Sequence, residues 1–146
     1  MTGEQGAQQS TQRRPRRRPG ENRERLIHAG IVEFGLLGYH GASTSVIAQR
    51  AEVPQPHVYA SFGSKQDLFL ACCRRAAELL LGTALAPEAL PAEAAPRLLY
   101  QAVASLGDEQ LRELIEQEIA PLRERMSRRE LLGVISSGAA ALLPHS

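Results

Sequence analysis

Apolar residues recur along the chain at three- and four-residue spacing, which is the pattern of helices that bury one face. In the first such stretch Ile27, Ile31 and Phe34 share a face. Asn22 is placed to cap the start of this helix, and the pattern stops at Gly38. Because no stretch of the chain has the two-residue period of a strand, the sequence predicts an all-α fold.

Two short helices joined by a tight turn are predicted next. Ser43 is placed to cap the first of them, over residues 44–51. Pro54 is predicted to open the second, which ends near Phe62, because a first helical turn leaves amides unpaired and proline lacks one. The positions predicted to face inward are Ile47, Ala48, Val58 and Phe62.

A longer fourth helix follows. Ser64 and Asp67 have the spacing of a capping box, and the apolar pattern behind them runs to Gly82. This helix carries the two cysteines, Cys72 and Cys73, which are neighbours that point in different directions and do not meet easily as a disulfide. We therefore expect two ordinary, half-buried thiols rather than a redox pair or a metal site.

The second half of the chain is predicted to be a loop followed by three more helices. Residues 83–96, which contain three prolines, form the loop, and residues 97–106 form the fifth helix. Asp108 is placed to cap a sixth helix, which Pro121 should kink or end. Ser127, with a glutamate three residues later, predicts a capped last helix.

Charge is distributed unevenly, although the formal net charge is only +1. Up to and including Arg75 there are eleven Lys and Arg against six Asp and Glu, whereas the rest has six Arg against ten acids. A basic part joined to an acidic part is typical of a nucleic-acid-binding module attached to something else. Residues 1–20, with five arginines and two prolines, are predicted to be a disordered arm, either a solubilising tail or an extra DNA contact.

Several classes of function lack their sequence signals. The chain has no apolar run near the roughly 20 residues of a membrane span and no secretory signal, so we expect a cytoplasmic protein without a membrane partner. Its four histidines and two cysteines lack the spacing of metal ligands, and we expect no metal and no cofactor. Without a nucleophile motif or a phosphate-binding glycine loop, we expect no enzyme.

Two short helices joined by a tight turn, with a longer helix on each side, are the arrangement of a helix-turn-helix. In such units the second helix of the pair lies in the major groove of DNA and the first crosses the backbone. Periodicity alone does not distinguish this from a plain helical bundle that serves as a protein-interaction module.

The residues between Arg23 and Phe69 carry a more specific signal. A set of them has the residue types, the order and the spacing, without a gap, of a known domain family. The set consists of Phe34, Gly38, Tyr39, Ser43, Thr44, Ile47, Ala48, Ala51, Val53, Tyr59, Phe62, Ser64, Lys65, Leu68 and Phe69. It resembles the DNA-binding domain of the tetracycline-repressor (TetR) family, a large group of dimeric bacterial repressors. These repressors leave their operators when a small molecule binds their C-terminal domain.

The resemblance implies a division of the chain and a set of partners. Residues 21–66 would be a homeodomain-like helix-turn-helix domain, and residues 67–146 a helical domain for ligand binding and dimerisation. The implied partners are operator DNA, a small-molecule effector and a second copy of the chain. Since family members are usually longer, the helices that normally build the dimer interface are expected to be missing or replaced. The alternative is a truncated paralogue that binds DNA without sensing a ligand.

The resemblance also implies roles for individual side chains. Thr44, Tyr59 and Lys65 would contact phosphates. The residues implied in reading bases, or lying beside them on the same helix face, are Gln55, Pro56, His57, Ala60 and Ser61. For Gln55 and Ser61 the alternative is a helix face that is simply hydrated.

The sequence departs from the family pattern around the turn. Glu52 stands where the family often has glycine, and a left-handed backbone at this residue costs on the order of 1 kcal/mol. Pro54 and Pro56 replace the usual serine cap and a glycine, which removes a cap and two amides that donate to phosphate. These departures bear on DNA affinity rather than on the fold.

Overall fold

The computed structural model describes residues 17–145, which form seven α-helices and no strand. The helices are α1 (Glu21–Gly41), α2 (Thr44–Ala51), α3 (Gln55–Ser61), α4 (Lys65–Leu81), α5 (Ala94–Ala104), α6 (Glu109–Arg125) and α7 (Arg128–Ala140), with a 3₁₀ turn at Ser105–Gly107. The predicted all-α class is confirmed for this part of the chain. No helix among residues 17–145 is long and apolar enough to cross a membrane.

Helix α1 lies at the centre and packs against α2, α4 and α5. Its Phe34 side chain is fully buried and meets Phe69 of α4 edge to face, with 5.0 Å between ring centroids. All four residues predicted to face inward from the two short helices, Ile47, Ala48, Val58 and Phe62, are buried. The buried apolar side chains of α1 to α6 form one contiguous core, so the short helices are fixed against the rest of the molecule.

The start of α1 differs from the prediction. Gly20 takes the N-cap position in the left-handed region (φ 81°), and the helix begins at Glu21. The prediction of Asn22 as the cap is wrong, because Asn22 lies inside the first turn and its side chain contacts Arg17 and His57 instead. The predicted stop at Gly38 is confirmed, since φ 77° and ψ 175° at this glycine break the helix before its last turn.

The backbone around α2 and α3 corrects two predicted caps. Ser43 occupies the N-cap position of α2, but its hydroxyl contacts Ser45 Oγ at 2.7 Å rather than a backbone amide. Pro54 has extended backbone and is itself the N-cap of α3, so the helix begins one residue later than predicted and Pro56 lies in its first turn. Between the helices Glu52 is left-handed (φ 56°), as expected where the family often has glycine.

Helix α4 begins and ends as predicted. Ser64 accepts a hydrogen bond from the Asp67 amide at 3.1 Å, and Gly82 is a left-handed C-cap. Cys72 and Cys73 are free thiols, but both are buried rather than half-buried. An added Cβ on Gly30 would lie 2.5 Å from Cys72 Sγ, so the glycine in α1 lets the two helices close over this thiol.

Two helices in the second half of the chain differ from the prediction: α5 begins earlier, and α6 continues past its proline. Helix α5 begins at Ala94 rather than at residue 97, because Pro96 fits in a first turn, where a missing amide breaks no helical bond. Pro121 was predicted to kink or end α6. It does not end the helix, which continues to Arg125. Pro121 and Gln117 are both exposed, so the Gln117 carbonyl that lost its amide partner lies on a hydrated side of the helix.

Two predicted caps in this half are confirmed. Asp108 accepts a hydrogen bond from the Gln110 amide at 2.9 Å at the start of α6. Ser127 and Glu130 form a complete capping box at the start of α7, with each side chain bonded to the other residue's backbone amide. Helix α7 then lies against α5, where Gly138 meets the backbone of Pro96.

Candidate nucleic-acid interface

Helix α3 is attached to the molecule along a single edge. Of its seven residues only Val58 is buried, and Phe62 follows as a buried C-cap whose amide donates to the Val58 carbonyl at 2.8 Å. The remaining residues are exposed or, for Ser61, half-buried; they are Gln55, Pro56, His57, Tyr59, Ala60 and Ser61. A short helix with one apolar edge and a free polar face is available to a partner outside this chain.

The start of α2 and the middle of α3 meet through two hydroxyl groups. Thr44 Oγ1 lies 3.4 Å from the phenolic oxygen of Tyr59, and the Tyr59 residue is 54% exposed. The first helical hydrogen bond of α2 runs from the Ile47 amide to the Ser43 carbonyl, which leaves the amides of residues 44–46 without helical partners. The two hydroxyls therefore lie beside the positive end of a helix, an arrangement suited to an anion.

Lys65 is held over an aromatic ring at the start of α4. Its Nζ lies 5.0 Å from the centroid of the Tyr39 ring, which in turn packs edge to face on Phe69 at 5.0 Å. Burial raises the pKa of Tyr39, and the negative charge of Asp108 adds to the effect, so this phenol stays neutral. Sequence reasoning noted Tyr39 only as a family marker and missed this role as the support for Lys65.

The turn between α2 and α3 is held by two arginines, Arg17 ahead of α1 and Arg25 within α1. Arg17 donates to the Glu52 carbonyl at 2.7 Å, and Arg25 donates to the Ala51 carbonyl at 2.8 Å and to the Glu52 carboxylate at 3.0 Å. Two cations thus cap the carbonyl end of α2 and fix the left-handed residue. No local sequence pattern predicts these bonds, because the partners are between 26 and 35 residues apart.

The network includes only the end of the predicted arm. Residues 1–16 lie outside the described residues, but the end of the arm, residues 17–20, is described and is bonded to the helical domain through Arg17. Asn22, beside it, carries the contact on to α3, with Nδ2 lying 3.3 Å from His57 Nδ1.

Six of the eight residues predicted for the site therefore lie on α3. The other two, Thr44 and Lys65, are the first residues of α2 and α4. The structure brings Thr44 and Tyr59 into direct contact, and Tyr39 holds Lys65 in place. It adds a further cation, because the Arg23 guanidinium lies 5.1 Å from the centroid of the Phe62 ring at the end of α3. Among residues 17–145, no three His, Cys, Asp or Glu side chains gather as in a metal site.

Two short helices joined by a left-handed turn, the second with a free polar face, form a helix-turn-helix, the class of unit that many DNA-binding proteins use. Residues 26–72 match the family model described as bacterial regulatory proteins of the tetR family. The matched segment contains α2 and α3 and overlaps the residues that carry the resemblance to this family.

Two curated relatives match the same part of the chain. YdgC of Bacillus subtilis (strain 168), an uncharacterized HTH-type transcriptional regulator, is 41% identical over 49 residues. FasR of Mycolicibacterium smegmatis, an HTH-type transcriptional activator, is 42% identical over 55 residues. The matched segments cover 34% and 38% of this chain and a quarter of the length of each relative.

Solved structures of similar proteins overlap more of the chain at lower identity. A TetR-like transcriptional regulator from Rhodococcus sp. RHA1 is 20% identical with a TM-score of 0.45, covering 87% of this chain and 85% of that one. The multidrug binding protein EbrR in complex with imidazole is 24% identical with a TM-score of 0.39, covering 88% of this chain and 71% of its own.

Proposed function

We propose that this protein is a cytoplasmic transcriptional regulator that binds double-stranded DNA and represses transcription until a small molecule releases it. The observation that carries the proposal is the free polar face of α3, where only Val58 of seven residues is buried. In this proposal residues 21–66 bind DNA, and residues 67–146 supply dimerisation and the effector site.

The contacts divide into those that position the protein and those that select sequence. Thr44, Tyr59 and Lys65 bind phosphates through two hydroxyls and an ammonium. The side chains that face base edges are Gln55, His57, Ala60 and Ser61, with Pro56 beside them. A glutamine pairs with adenine through two hydrogen bonds, and an alanine methyl packs on the thymine methyl.

The prolines of α3 shift phosphate binding from backbone to side chains. The His57 amide donates to the Pro54 carbonyl at 2.9 Å, and Pro56 has no amide hydrogen. The first turn of α3 therefore offers a phosphate little more than the Gln55 amide. The side chains of Tyr59 and Lys65 thus carry a larger part of phosphate binding than they would behind an ordinary helix N-terminus.

Salt titration of DNA binding tests the phosphate contacts. Lys65→Ala should lower the slope of log K against log salt by about one unit, because one fewer counterion is released. Tyr59→Phe should weaken binding to all sequences about equally. The control is Arg129→Ala, an exposed arginine on α7, which should leave the slope unchanged. An unchanged slope for Lys65→Ala would remove this residue from the interface.

Dimerisation is proposed through residues 131–143. The apolar face of α6, the other surface that the sequence offers, is buried in the core at Leu111, Ile115 and Ile119. Two recognition helices on one operator need a two-fold interface that spaces them by about 34 Å or a multiple. Leu132 is 52% exposed and Leu143 is exposed on this surface, whereas Leu131 and Ile135 are half-buried against the core. A stable contact here should bury at least about 1,000 Å² in total.

Light scattering tests the proposed dimer. Leu132→Asp should give a monomer that keeps its helix content and loses operator affinity. Ile135→Asp would also place a charge against the core, so Leu132 is the cleaner site. Leu85→Asp, at an exposed loop leucine, is the matched control and should remain dimeric. A wild-type monomer at tens of micromolar would contradict the proposal.

The proposed effector site is a cavity of about 200 Å³ between α5, α6 and α7. Its lining is mainly apolar and includes Leu99, Val103, Leu106, Ile119, Leu122, Leu131 and Ile135. Typical ligand pockets occupy about 300–1,000 Å³, so this cavity suits only a small apolar molecule. The small volume favours, as a second candidate, a regulator that binds DNA without sensing a drug-sized ligand.

Two measurements separate these candidates. An effector should raise the melting temperature of the protein and, at the same concentrations, release it from DNA. A regulator without an effector should show neither response to small apolar compounds. Deleting the gene should raise transcription from the promoter that the protein occupies; a fall would identify an activator, as FasR is described.

A further inference from the structure

Three side chains connect the N-terminal segment to the proposed recognition helix. Arg17 donates from one terminal nitrogen to Asn22 Oδ1 at 2.7 Å, and Asn22 Nδ2 lies 3.3 Å from His57 Nδ1. The other terminal nitrogen of Arg17 donates to the Glu52 carbonyl at 2.7 Å, so the guanidinium is held at two points. The N-terminal segment, α1 and α3 are thus joined by one series of hydrogen bonds.

The donors and acceptors in this series of hydrogen bonds allow only one orientation of the Asn22 amide and one tautomer of His57. A guanidinium only donates, so the oxygen of the Asn22 amide must face Arg17. The amide nitrogen, which also only donates, is then the atom that faces His57. Nδ1 of His57 must accept this hydrogen bond, which places the proton of the neutral ring on Nε2. Turning the Asn22 amide over would set its NH₂ group against the guanidinium and leave two donors facing each other.

We propose that Arg17 and Asn22 are positioning residues that fix the tautomer of His57, so that His57 selects base pairs through a single Nε2–H donor. The inference rests on the proposed function, in which the α3 face lies in the major groove. A donor there bonds to guanine N7 or O6, adenine N7 or thymine O4. It opposes the N4 amino group of cytosine, which is itself a donor. Base preference at His57 is thereby set by residues that touch no base.

Asn22→Asp tests the arrangement, because it replaces the donating amide by an oxygen that only accepts. Arg17 can bond to the new carboxylate, but Nδ1 of His57 must now carry the proton and Nε2 becomes an acceptor. The readout is the pattern of ring nitrogen shifts and couplings in ¹⁵N-labelled full chain without DNA, at about pH 8.5, where an ordinary imidazole is neutral. Since Nε2–H is already the commoner form of a free imidazole, the switch in the variant is the informative result.

Matched controls separate the tautomer from the added charge. Gln49→Glu adds the same charge on an exposed face of α2 and should leave the His57 spectrum unchanged. Arg17→Ala frees the Asn22 amide to rotate and should yield a mixture of tautomers. Circular dichroism of each variant confirms that the helices are intact, and His40 serves as an internal reference in every spectrum.

A second experiment measures the affinity for DNA probes that differ only in the base pair opposite His57. The wild-type protein should bind a probe with a guanine acceptor about two- to tenfold more tightly than one with cytosine at that place, the effect of one hydrogen bond. Asn22→Asp should reverse or abolish this preference, and Gln49→Glu should weaken all probes equally. A preference unchanged in Asn22→Asp overturns the inference.

The spectroscopic experiment and the DNA-binding experiment can contradict the inference independently. A His57 ring that keeps its proton on Nε2 in Asn22→Asp overturns the tautomer control, whatever the DNA results. If the tautomer switches but no probe is bound with base preference, the proposed function fails and base selection by His57 fails with it.

Discussion

Gly138 and Gly133 lie on the same helix and should respond in opposite directions to the same substitution. An alanine Cβ at Gly138 would overlap the Pro96 carbonyl group and lie 3.0 Å from the Arg97 nitrogen. These are backbone atoms of α5, which cannot turn aside as a flexible side chain does. An alanine Cβ at Gly133 would meet no atom within 4 Å. The pair thus isolates the close crossing of α7 on α5.

The magnitude follows from two effects. Replacing glycine by alanine inside a helix stabilises it by about 0.5–1 kcal/mol, and this gain is common to both variants. Gly133→Ala should keep the whole gain. Gly138→Ala must also separate two packed helices, and overpacking of this kind costs about 1–3 kcal/mol. The free energies of unfolding of the two variants should therefore differ by about 1–3 kcal/mol, with Gly138→Ala the less stable.

Guanidinium unfolding followed by far-ultraviolet circular dichroism measures this difference. In thermal unfolding each 1 kcal/mol should shift the midpoint by roughly 2–4 °C, which is easily resolved. Equal stability of Gly138→Ala and Gly133→Ala would show that α7 does not cross α5 at this glycine.

Other predictions follow from the core and its ion pairs. Burial raises the pKa of the Cys72 and Cys73 thiols, so both should react with a thiol reagent at pH 8 only after unfolding; rapid reaction in the native protein would contradict their burial. A hydrogen bond from Arg75 lowers the pKa of Glu24, so the pair stabilises the fold above the unfolded carboxyl pKa and is lost as pH falls through the folded value. Glu24→Gln should therefore lower the melting temperature at pH 7 but not near about pH 2. Phe69→Ala should cost about 3–5 kcal/mol in denaturant unfolding, because the ring is fully buried, and a loss under 1 kcal/mol would contradict this packing.

Local signals predicted helix ends well where both partners lie close in sequence. The caps at Ser64, Asp108 and Ser127 each join residues two or three positions apart, so the pattern contains the whole interaction. Gly38 and Gly82 end their helices because glycine adopts positive φ without strain. The apolar faces of α1 to α4 were predicted for the same reason, since their period alone fixes which side is buried.

Interactions between distant segments were not predictable in this way. Pro121 stays inside α6 because its side of the helix is hydrated, which depends on how α6 packs. Asn22 was expected to cap a helix but instead bonds to His57, 35 residues away. The family resemblance supplied the candidate contacts on α3, whereas the arginine network behind them, at Arg17 and Arg25, emerged only from the structure.

The most direct test of the α3 interface is selection of bound sequences from a random DNA library, followed by sequencing. The wild-type protein should enrich one motif, and Gln55→Ala should relax it at a defined position with a loss of roughly 1–3 kcal/mol on the cognate site. Lys65→Ala should recover the wild-type motif at lower affinity, because it changes a phosphate contact alone. Failure to enrich any motif, or an identical motif from Gln55→Ala, would contradict the assignment of α3 as the recognition helix.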